Sequence, residues 1–480
     1  MNAARRIPTD LRWALAAASL IVSVAAFAVI APLQYGDDAL GLHPTVWMSA
    51  IGVLAGICYL ALPGAIGGPS PGRFVLAGMI VIGVAARIAL IPTDPLWEID
   101  FYRYLWDGGV VWSGGDPYRW SPEAVLAGDA GDPMTALAAS SGGLVGGINY
   151  PTLRTIYPPL AQSAFALAHA LGPWNLISLK LIYLMADGLA LAMMLTLLAR
   201  LGLPPLWAAL YWWNPLAVQL VYNAGHMDVL LVPLMLGALL ATLSGRRNAA
   251  ALLLAAATAV KLWPALLLPA LLRYRPGHAG AALKAAAVFA AAALMLLAPQ
   301  LLAGLEFDSG LTAFAGTWQR NDAVFGLLLG SAASILDAFS LYEIDAGRVA
   351  RVAVAGAIVA AVLWSNRRPA QDPEALIRRC LLVPVLFLVL GPTVYPWYAV
   401  WLLPLIALIP RDAMARALLI WTATLPLYHL RFHPWFLENP LWFEEGVVWI
   451  EHRPVLIALT LAAGLGRLRA TGRAGKATAS

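Results

Sequence analysis

The chain has 480 residues, of which 61% are apolar and 12% charged, and it carries a formal net charge of +5. Soluble domains are about half apolar and a quarter charged, so this composition excludes a soluble enzyme, a disordered chain and a nucleic-acid-binding module. One helical span needs roughly 20 apolar residues, and the apolar fraction is enough for about 13 or 14 of them. We therefore expect an all-α polytopic membrane protein.

Apolar runs of spanning length follow one another along the chain, and each predicts a transmembrane helix. They lie at 11–32, 45–63, 74–93, 175–199, 205–222, 226–243, 248–272, 279–300, 346–365, 376–391, 394–410, 413–430 and 453–468, with a weaker run at 323–340. The first run is as long as a full span and more spans follow it at once. We interpret it as a retained helix and not as a cleaved signal peptide.

Basic residues near the ends of these runs set the orientation, because cytoplasmic loops are enriched in lysine and arginine. Arg5, Arg6 and Arg12 predict a cytoplasmic N-terminus, and the C-terminal tail falls on the same side. The other basic residues that share this side are Arg73, Arg200, Arg246, Arg247, Arg273, Arg275, Lys284, Arg367, Arg368, Arg378, Arg379, Arg411 and Arg416. Abundant alanine and arginine indicate a GC-rich, bacterial source, so we expect the inner (cytoplasmic) membrane.

The run 248–272 allows two interpretations. It either spans once, or it breaks at Lys261-Leu262-Trp263-Pro264 and returns. Proline removes a backbone donor and kinks or ends helices, and basic residues at Arg273 and Arg275 favour the break. A break would leave 300–345 as an outer-face segment with short helices.

The longest polar stretch, 94–158, lies on the predicted outer face and contains several glycine pairs and prolines. Loops of this length are uncommon and usually functional, so we expect the chemistry here. We predict a single transmembrane domain over 1–480. In it, 1–93 forms the N-terminal spans, 94–158 a periplasmic catalytic loop with interfacial helices, and 159–480 the remaining spans and outer loops.

Acidic residues open this loop. Glu98 and Asp100 follow directly after a predicted span, and Arg103 and Asp107 are spaced to share one face of a following helix. Two carboxylates at a membrane rim are typical of a general base or a cation site. The structural alternative is that Asp100 caps an interfacial helix and that Glu98 is solvated.

Several segments carry a specific pattern in chain order. In the loop they are Asp100-Phe-Tyr-Arg-Tyr-Leu-Trp-Asp107-Gly108, Gly115-Asp116-Pro117-Tyr118 and Thr155-Ile-Tyr157-Pro-Pro-Leu-Ala-Gln162. Asn214-Pro215, Gly225-His226-Met-Asp228, Lys261-Leu-Trp-Pro264 and Tyr395-Pro-Trp397-Tyr398 follow. Together they resemble GT-C glycosyltransferases, most of all the polyprenyl-phosphate-mannose-dependent mannosyltransferases of glycosyltransferase family 87. The acidic loop follows the third run here, whereas in many relatives it follows the first, so 11–63 forms two extra spans.

The resemblance implies a GT-C fold and transfer of a hexose, most of all mannose, from a polyprenyl-phosphate carrier to a hydroxyl of a lipid or glycan acceptor at the outer face. The reaction would be an inverting single displacement. Glu98-Ile-Asp100 fits the family's acidic motif, which makes Asp100 the expected base and Glu98 an orienting group. No cofactor is certain, but a divalent cation at Glu98 and Asp100 stays open. The chain contains no phosphate-binding G-x-x-x-x-G-K-[ST] loop, which disfavours a nucleotide-sugar donor.

Cationic and aromatic residues are the candidates for binding the donor phosphate, since a departing phosphate requires positive charge nearby. They are Lys261, Arg320, Arg103, His226, Tyr157 and Tyr395, and the candidates for supporting the acceptor or the loop are Asp107, Asp116, Tyr118, Asp228 and Trp397. Each also has a plain structural interpretation. Lys261 could snorkel, Arg103 could form an ion pair, Asp228 could cap a helix, and the aromatic residues could belong to an interfacial belt.

Two other functions stay open at this point. A transporter or flippase of lipid-linked sugar would have a similar composition, although internal repeats and midplane charges are typical of transporters and we find no repeat. A GT-C transferase with another donor sugar, such as arabinose or aminoarabinose, would carry the same motifs. Within the fourth run, Asp187 could be a buried structural residue or a partner of Lys180.

Overall fold

A computed structural model of the chain describes residues 8–33, 41–66, 73–275, 277, 279–304 and 308–477. Within these ranges the structure is helical, with three isolated β-bridges and no strand. The prediction of an all-α polytopic fold is confirmed. Arg5 and Arg6, on which the predicted N-terminal orientation depends, lie outside the described residues.

Seven helices in the described part of the chain are long and apolar enough to cross a membrane. They are Thr9–Leu33, Pro44–Ala65, Arg73–Leu90, Leu176–Arg200, Ala279–Leu302, Ala346–Ser365 and Pro440–Gly464. An eighth follows if Pro215–Tyr222 and Met227–Leu243, which are bent at a short break, form one span. This number is smaller than the predicted 13 or 14, because several apolar runs are divided. The apolar helices Trp263–Leu272, Val324–Ala338 and Pro396–Leu408 are shorter than a full span.

The chain forms two compact units. The first comprises Met1–Leu90, Leu198–Gln219 and Leu402–Ser480. Its α-helices are Thr9–Ile30, Pro44–Tyr59, Leu62–Ala65, Arg73–Leu90, Ala209–Trp212, Ala413–Thr424, Pro434–Glu438, Pro440–Trp442 and Val448–Ala477, with short 3₁₀ or π turns at Ala31–Leu33, Pro205–Ala208, Leu425–Phe432 and Phe443–Val447. Gly52 and Gly56 pack directly against Pro426 and Ala423, so the absence of a side chain lets these segments approach closely.

A buried arginine stabilises the first unit. Arg87 lies in a candidate span and is 1% exposed. Its guanidinium donates to the carbonyls of Gly83 and Trp212, both at 2.9 Å, and lies 3.4 Å from the centre of a Trp212 ring. Hydrogen bonds and a cation–π contact therefore compensate a charge that would otherwise be costly in an apolar environment.

The second unit comprises Ile91–Leu197 and Leu220–Trp401. Its α-helices are Asp100–Trp112, Pro122–Ala127, Asp132–Ser140, Pro159–Leu171, Leu176–Arg200, Leu231–Leu243, Arg247–Thr258, Leu268–Leu272, Ala279–Leu302, Gly310–Thr317, Val324–Ala338, Ala346–Ser365 and Pro373–Leu390, with 3₁₀ turns at Leu144–Gly147, Met227–Leu230, Trp263–Leu267 and Pro396–Tyr398. Residues of both units occur in the helices Leu176–Arg200, Pro215–Tyr222 and Ala399–Leu408. The predicted loop 94–158 thus folds into short helices, as expected.

The run 248–272 breaks and returns. Helix Arg247–Thr258 ends before Lys261, and the chain resumes as Trp263–Leu267 and Leu268–Leu272. The guanidinium of Arg247, at the start of the run, donates to the carbonyls of Leu272, Tyr274 and Arg275 at its end. The two ends of the run are therefore adjacent, Lys261 lies near the tip of a re-entrant hairpin, and the single-span alternative is wrong.

The loop helix Asp100–Trp112 packs on the following helix Pro159–Leu171. Gly108 meets the backbone of Phe165, and Gly109 meets the rings of Trp174 and His169. Two adjacent glycines leave room for this close approach, which a β-carbon would prevent. The packing fixes the direction of the helix whose first residue is Asp100.

Lys180 and Asp187, in helix Leu176–Arg200, have separate structural partners. The Lys180 ammonium donates to the carbonyls of Ile91 (3.3 Å) and Thr93 (2.8 Å). Asp187 accepts from the Tyr222 hydroxyl at 2.9 Å. Lys180 thus fixes the chain just before the acidic segment of the loop, and the alternative in which it pairs with Asp187 is wrong.

Candidate active site

Asp100 is the first residue of the loop helix Asp100–Trp112 and is partly exposed. The Asn149 side chain donates to its Oδ1 at 2.9 Å. Burial raises the pKa of Asp100 above its ordinary value; the charges of His226 and Lys261 and the bond from Asn149 oppose this effect, and the neighbouring Glu98 carboxylate adds to it. A carboxylate with a raised pKa that substrate can reach is suited to accept a proton.

Glu98 lies beside Asp100 but is held differently. Its side chain is buried, and its Oε2 lies 3.4 Å from Nε2 of His226. The His226 ring stacks on Trp397 with centroids 3.7 Å apart, and Trp397 stacks on Tyr395 at 4.3 Å. Among the described residues, neither ring nitrogen of buried His226 has a hydrogen-bond partner. Stacking therefore holds His226 in place beside the Glu98 carboxylate.

The segment before Glu98 is fixed by Asn223. The Asn223 amide donates to Oγ1 of Thr93 (3.0 Å) and to the carbonyl of Asp94 (2.8 Å), and its Oδ1 accepts from the Leu96 amide (3.2 Å). Trp97 then adopts φ 57°, a left-handed conformation that is uncommon for a bulky residue. Such strained positions concentrate at functional sites, and here one directly precedes the acidic pair.

Lys261 and Asp228 form an ion pair between two breaks in the helices. Lys261 Nζ lies 2.6 Å from Oδ1 of Asp228, and Trp401 Nε1 donates to the same oxygen at 2.6 Å. Nζ also lies 4.6 Å from the ring centre of Tyr398 and 4.7 Å from that of Trp401. The Asp228 side chain is 1% exposed and that of Lys261 24%. The Lys261 ammonium is therefore the accessible group of this ion pair, and the Asp228 carboxylate is buried behind it.

Arg103 and Asp107 support the loop helix from within. The Arg103 guanidinium is buried and donates to the carbonyls of Asn149 (3.4 Å) and Tyr150 (3.3 Å), so it helps to place the amide that contacts Asp100. Buried Asp107 accepts from Thr155 Oγ1 and, at 2.8 Å, from Gln162 Nε2. Burial raises the pKa of Asp107 to about 6, although the Arg103 charge and these hydrogen bonds oppose the shift. Both residues act on the site through their neighbours.

Tyr118, Asp116 and Tyr157 order the rest of the loop. Asp116 accepts from the Tyr118 amide at 2.9 Å, and the Tyr118 hydroxyl donates to the Tyr157 carbonyl at 2.8 Å. The Tyr157 ring meets Tyr104 edge-on at 4.9 Å. Burial raises the pKa of Tyr157 well above its ordinary value, as does the nearby Asp100. Tyr157 is thus a neutral hydroxyl close to the acidic pair.

The backbone of Arg320 pairs with the segment 392–394, which leads to Tyr395. Its backbone bonds to Pro392 and Val394, and its exposed guanidinium donates to the Gln319 carbonyl at 2.9 Å. These bonds join Arg320 to the residues just before Tyr395, and none of them reaches Asp100 or Lys261.

Three residues at the site were not predicted from the sequence: Asn149, Asn223 and Trp401. Asn149 lies in a glycine-rich stretch that has no functional pattern, and Trp401 has the character of an ordinary apolar helix residue. Asn223 lies two positions before the Gly225-His226-Met-Asp228 motif, at the end of an apolar run. A polar residue at this position could have been identified as a candidate from the sequence.

A metal site is not preformed in the described residues. Within them no group of three or more His, Cys, Asp or Glu side chains is arranged to hold an ion. Glu98 and Asp100 alone would leave most ligand positions to water or to a substrate phosphate, as is usual for Mg²⁺. The expected cation at these carboxylates stays a prediction.

Comparison with known proteins gives two findings. Residues 155–392 match glycosyltransferase family 87. The chain is also 28% identical, over 376 residues, to alpha-(1->6)-mannopyranosyltransferase A of Mycobacterium tuberculosis; the alignment covers 72% of this chain and 69% of that protein. The family match includes Tyr157, His226, Asp228, Lys261 and Arg320, whereas Glu98 and Asp100 precede it. The predicted resemblance is confirmed.

Proposed function

Because the chain is a membrane glycosyltransferase that resembles family 87, we propose that it transfers mannose from a polyprenyl-phosphate carrier to a hydroxyl of a lipid or glycan acceptor, with Asp100 as the base. The observation that carries this proposal is the environment of Asp100. It is the more exposed of two adjacent carboxylates, it has a raised pKa, and Lys261 is near enough to act on it electrostatically. The mannopyranosyltransferase relative supports mannose as the sugar.

The proposed reaction is one displacement at the anomeric carbon. Asp100 takes the proton of the acceptor hydroxyl as that oxygen forms a bond to the anomeric carbon. The bond from this carbon to the phosphate oxygen breaks, the electron pair leaves with polyprenyl phosphate, and the configuration inverts. A general base contributes about 10²–10⁴-fold, so positioning and charge stabilisation supply the remainder.

We assign the donor phosphate to Lys261. Its partly exposed ammonium is fixed by Asp228 and by the rings of Tyr398 and Trp401, so little side-chain freedom is lost when it binds an anion. His226 offers buried ring nitrogens on the side of Glu98, and Tyr157 offers a neutral hydroxyl. Arg320, whose backbone pairs with the residues just before Tyr395, supplies a second cation for the carrier phosphate. Arg103 is a positioning residue through Asn149.

We infer further that the site faces the periplasm across the bacterial inner membrane and that both termini are cytoplasmic. The distribution of arginines supports this orientation. Membrane lipids surround the enzyme, and a lipid carrier would reach Lys261 from the bilayer. A divalent cation at Glu98 and Asp100 would assist departure of the phosphate, and added EDTA would then abolish turnover and Mg²⁺ or Mn²⁺ restore it.

The decisive experiment uses purified protein in lipid with radiolabelled polyprenyl-phosphate-mannose and a crude lipid extract as acceptor. Asp100→Asn removes the base and almost no volume, so turnover should fall by about 10²-fold or more while donor binding persists. Asn149→Ala, which removes one hydrogen bond to Asp100, should cause a smaller loss. Turnover of Asp100→Asn equal to that of the wild type would refute the base assignment, and absence of donor binding by the wild type would refute the sugar or the carrier.

A further inference from the structure

A cluster of arginines forms a second charged surface, apart from the acidic site. It brings together three segments that are distant in sequence. We define the basic patch as Arg246, Arg247, Arg273, Arg275, Arg367, Arg368, Arg378 and Arg379. Six of these residues are exposed, and Arg247 and Arg379 are partly exposed.

Backbone contacts hold the three segments together. Arg247 donates to the carbonyls of Leu272 and Arg275, Arg273 donates to the carbonyl of Arg367 at 2.7 Å, and Arg275 donates to that of Gln371 at 2.9 Å. Tyr274 and Ala370 also form a β-bridge. Arg247, Arg273 and Arg275 are thus fixed by their own hydrogen bonds to neutral carbonyls.

Two acidic residues lie next to the patch. Glu374 forms an ion pair with Arg378 at 2.9 Å, and both side chains are about half exposed or more. Asp372 caps the helix Pro373–Leu390 through the Ala375 amide and acts electrostatically on Arg379. Arg273 and Arg379 are close enough for their like charges to repel. An anion that bridges them would relieve this repulsion.

Neighbouring apolar helices indicate where the basic patch lies relative to the membrane. The candidate span Ala346–Ser365 ends just before Arg367, and Ala279–Leu302 begins shortly after Arg275. Val352 and Leu363, on the first of these spans, are exposed, as expected for residues that face lipid. Trp364 is 67% exposed, and the Arg367 guanidinium lies 3.4 Å from the centre of its ring. Tryptophan and arginine at the end of a span are typical of the headgroup layer.

We propose that the basic patch is a binding site for anionic phospholipid headgroups. The positive-inside rule accounts for basic residues on this side, but not for the convergence of three segments that carry eight arginines into one surface, on which the guanidinium groups of Arg246 and Arg368 make no hydrogen bond or ion pair within the described residues. Phosphodiester oxygens match the fork geometry of arginine, and clustered arginines beside a membrane recruit anionic lipids. The inference is independent of the sugar that the enzyme transfers.

The test counts lipids retained by the purified full-length protein by native mass spectrometry, after titration with phosphatidylglycerol or phosphatidylcholine. The wild type should retain phosphatidylglycerol preferentially. The double variant R246Q/R368Q removes two charges that make no hydrogen bond or ion pair within the described residues, so it should fold normally. Its affinity for phosphatidylglycerol should fall on the order of tenfold.

The matched control is R119Q/R348Q. It removes two exposed arginines, one in the predicted outer loop 94–158 and one at the start of the candidate span Ala346–Ser365, whose other end precedes Arg367. It should retain the wild-type preference. Equal retention of the two lipids by the wild type would overturn the proposal, as would an equal loss in both double variants. Inorganic phosphate is the third probe. If it displaces the bound lipid at low millimolar concentration, the site is one for free phosphate and the lipid assignment fails.

Discussion

Glu98 and Asp100 are two positions apart, yet their environments give them different properties. Glu98 is buried against a histidine that is itself stacked on Trp397, whereas Asp100 is partly exposed and hydrogen-bonded to Asn149. In the proposed reaction the partly exposed carboxylate meets the acceptor hydroxyl, and the buried one helps to orient the acceptor. Sequence alone allowed both residues to be named, and the division of labour follows from burial, which spacing does not reveal.

The raised pKa of Asp100 predicts the acidic limb of the pH profile. The base acts when it is deprotonated, so kcat/KM should rise with pH through the pKa of Asp100. Because burial raises that pKa, the limb should lie above the value of about 4 that is ordinary for aspartate. Buried Asp107, with a pKa of about 6, is the competing origin. The limb should persist in Asp107→Asn; a limb that vanishes there belongs to Asp107.

The Lys261–Asp228 pair allows the structural and the functional role of Lys261 to be separated. Lys261→Met leaves the buried Asp228 carboxylate without its counter-ion, which should cost about 3–5 kcal/mol of stability. Lys261→Met/Asp228→Asn removes both charges, so the melting temperature should recover. Donor KM should be raised at least tenfold in both. Recovery of donor affinity along with stability in the double variant would leave Lys261 with a structural role.

The pairing itself could not be predicted from the sequence. Lys261 stood out because an ammonium in an apolar run is costly, and Asp228 stood out in a short motif. They are 33 positions apart in the chain, and Trp401, which completes the group, is 173 positions from Asp228. Periodicity and spacing describe one helix at a time, so contacts between separate breaks require the tertiary structure.

At the scale of elements, the loop helix Asp100–Trp112 owes its position to a glycine pair. Gly108 and Gly109 fit against Phe165 and Trp174, so the loop helix and the helix Pro159–Leu171 form one rigid support for Asp100. In the sequence the glycine pairs are typical of a loop. Their role in packing depends on the opposing backbone, which the sequence does not show.

Gly108→Ala should displace the loop helix, because its added β-carbon would collide with the backbone of Phe165. Overpacking of this kind typically costs about 1–3 kcal/mol. Turnover should fall with the stability, while Gly146→Ala, in the same loop, has open space around the new β-carbon and should be neutral. Thermal unfolding and transfer assays on both variants measure this. Equal stability of the two would refute the packing argument.

Hydropathy predicted correctly where helices occur, but it predicted poorly whether an apolar run forms one unbroken helix. Runs such as 11–32, 175–199 and 346–365 became single helices, and the break at Lys261-Leu-Trp-Pro264 was foreseen from the proline. The run 205–222 was not foreseen to divide, although it contains Pro205 and Asn214-Pro215. Apolar composition predicts that a segment is removed from water. It does not predict whether the segment crosses the bilayer as one helix, because a break is tolerated where neighbouring groups satisfy the freed backbone polar atoms.

At the scale of the whole molecule, orientation across the membrane is the property on which the proposed substrates depend. A lipid-linked donor at the periplasmic face requires the loop 94–158 outside and the basic patch inside. The charge distribution supports this orientation, since the loop is rich in acidic residues and the basic patch is rich in arginine.

Site-directed labelling tests the orientation. In a background in which Cys58 and Cys380 are replaced, Arg119→Cys should react with a membrane-impermeant maleimide in intact spheroplasts. Arg368→Cys should react only after permeabilisation. Both side chains are exposed, so access to reagent and not burial decides the result. The reverse pattern would invert the topology and move the active site to the cytoplasm.

The contacts around Lys261 also imply an order in which parts of the proposed site form during synthesis. The loop helix and its support lie within residues 100–171, so both are complete early in synthesis, when the chain emerges N-terminus first. The Asp228 carboxylate, by contrast, needs both Lys261 and Trp401. A ribosome-bound chain that ends before residue 401 therefore contains the proposed base but lacks Trp401, the second partner of Asp228.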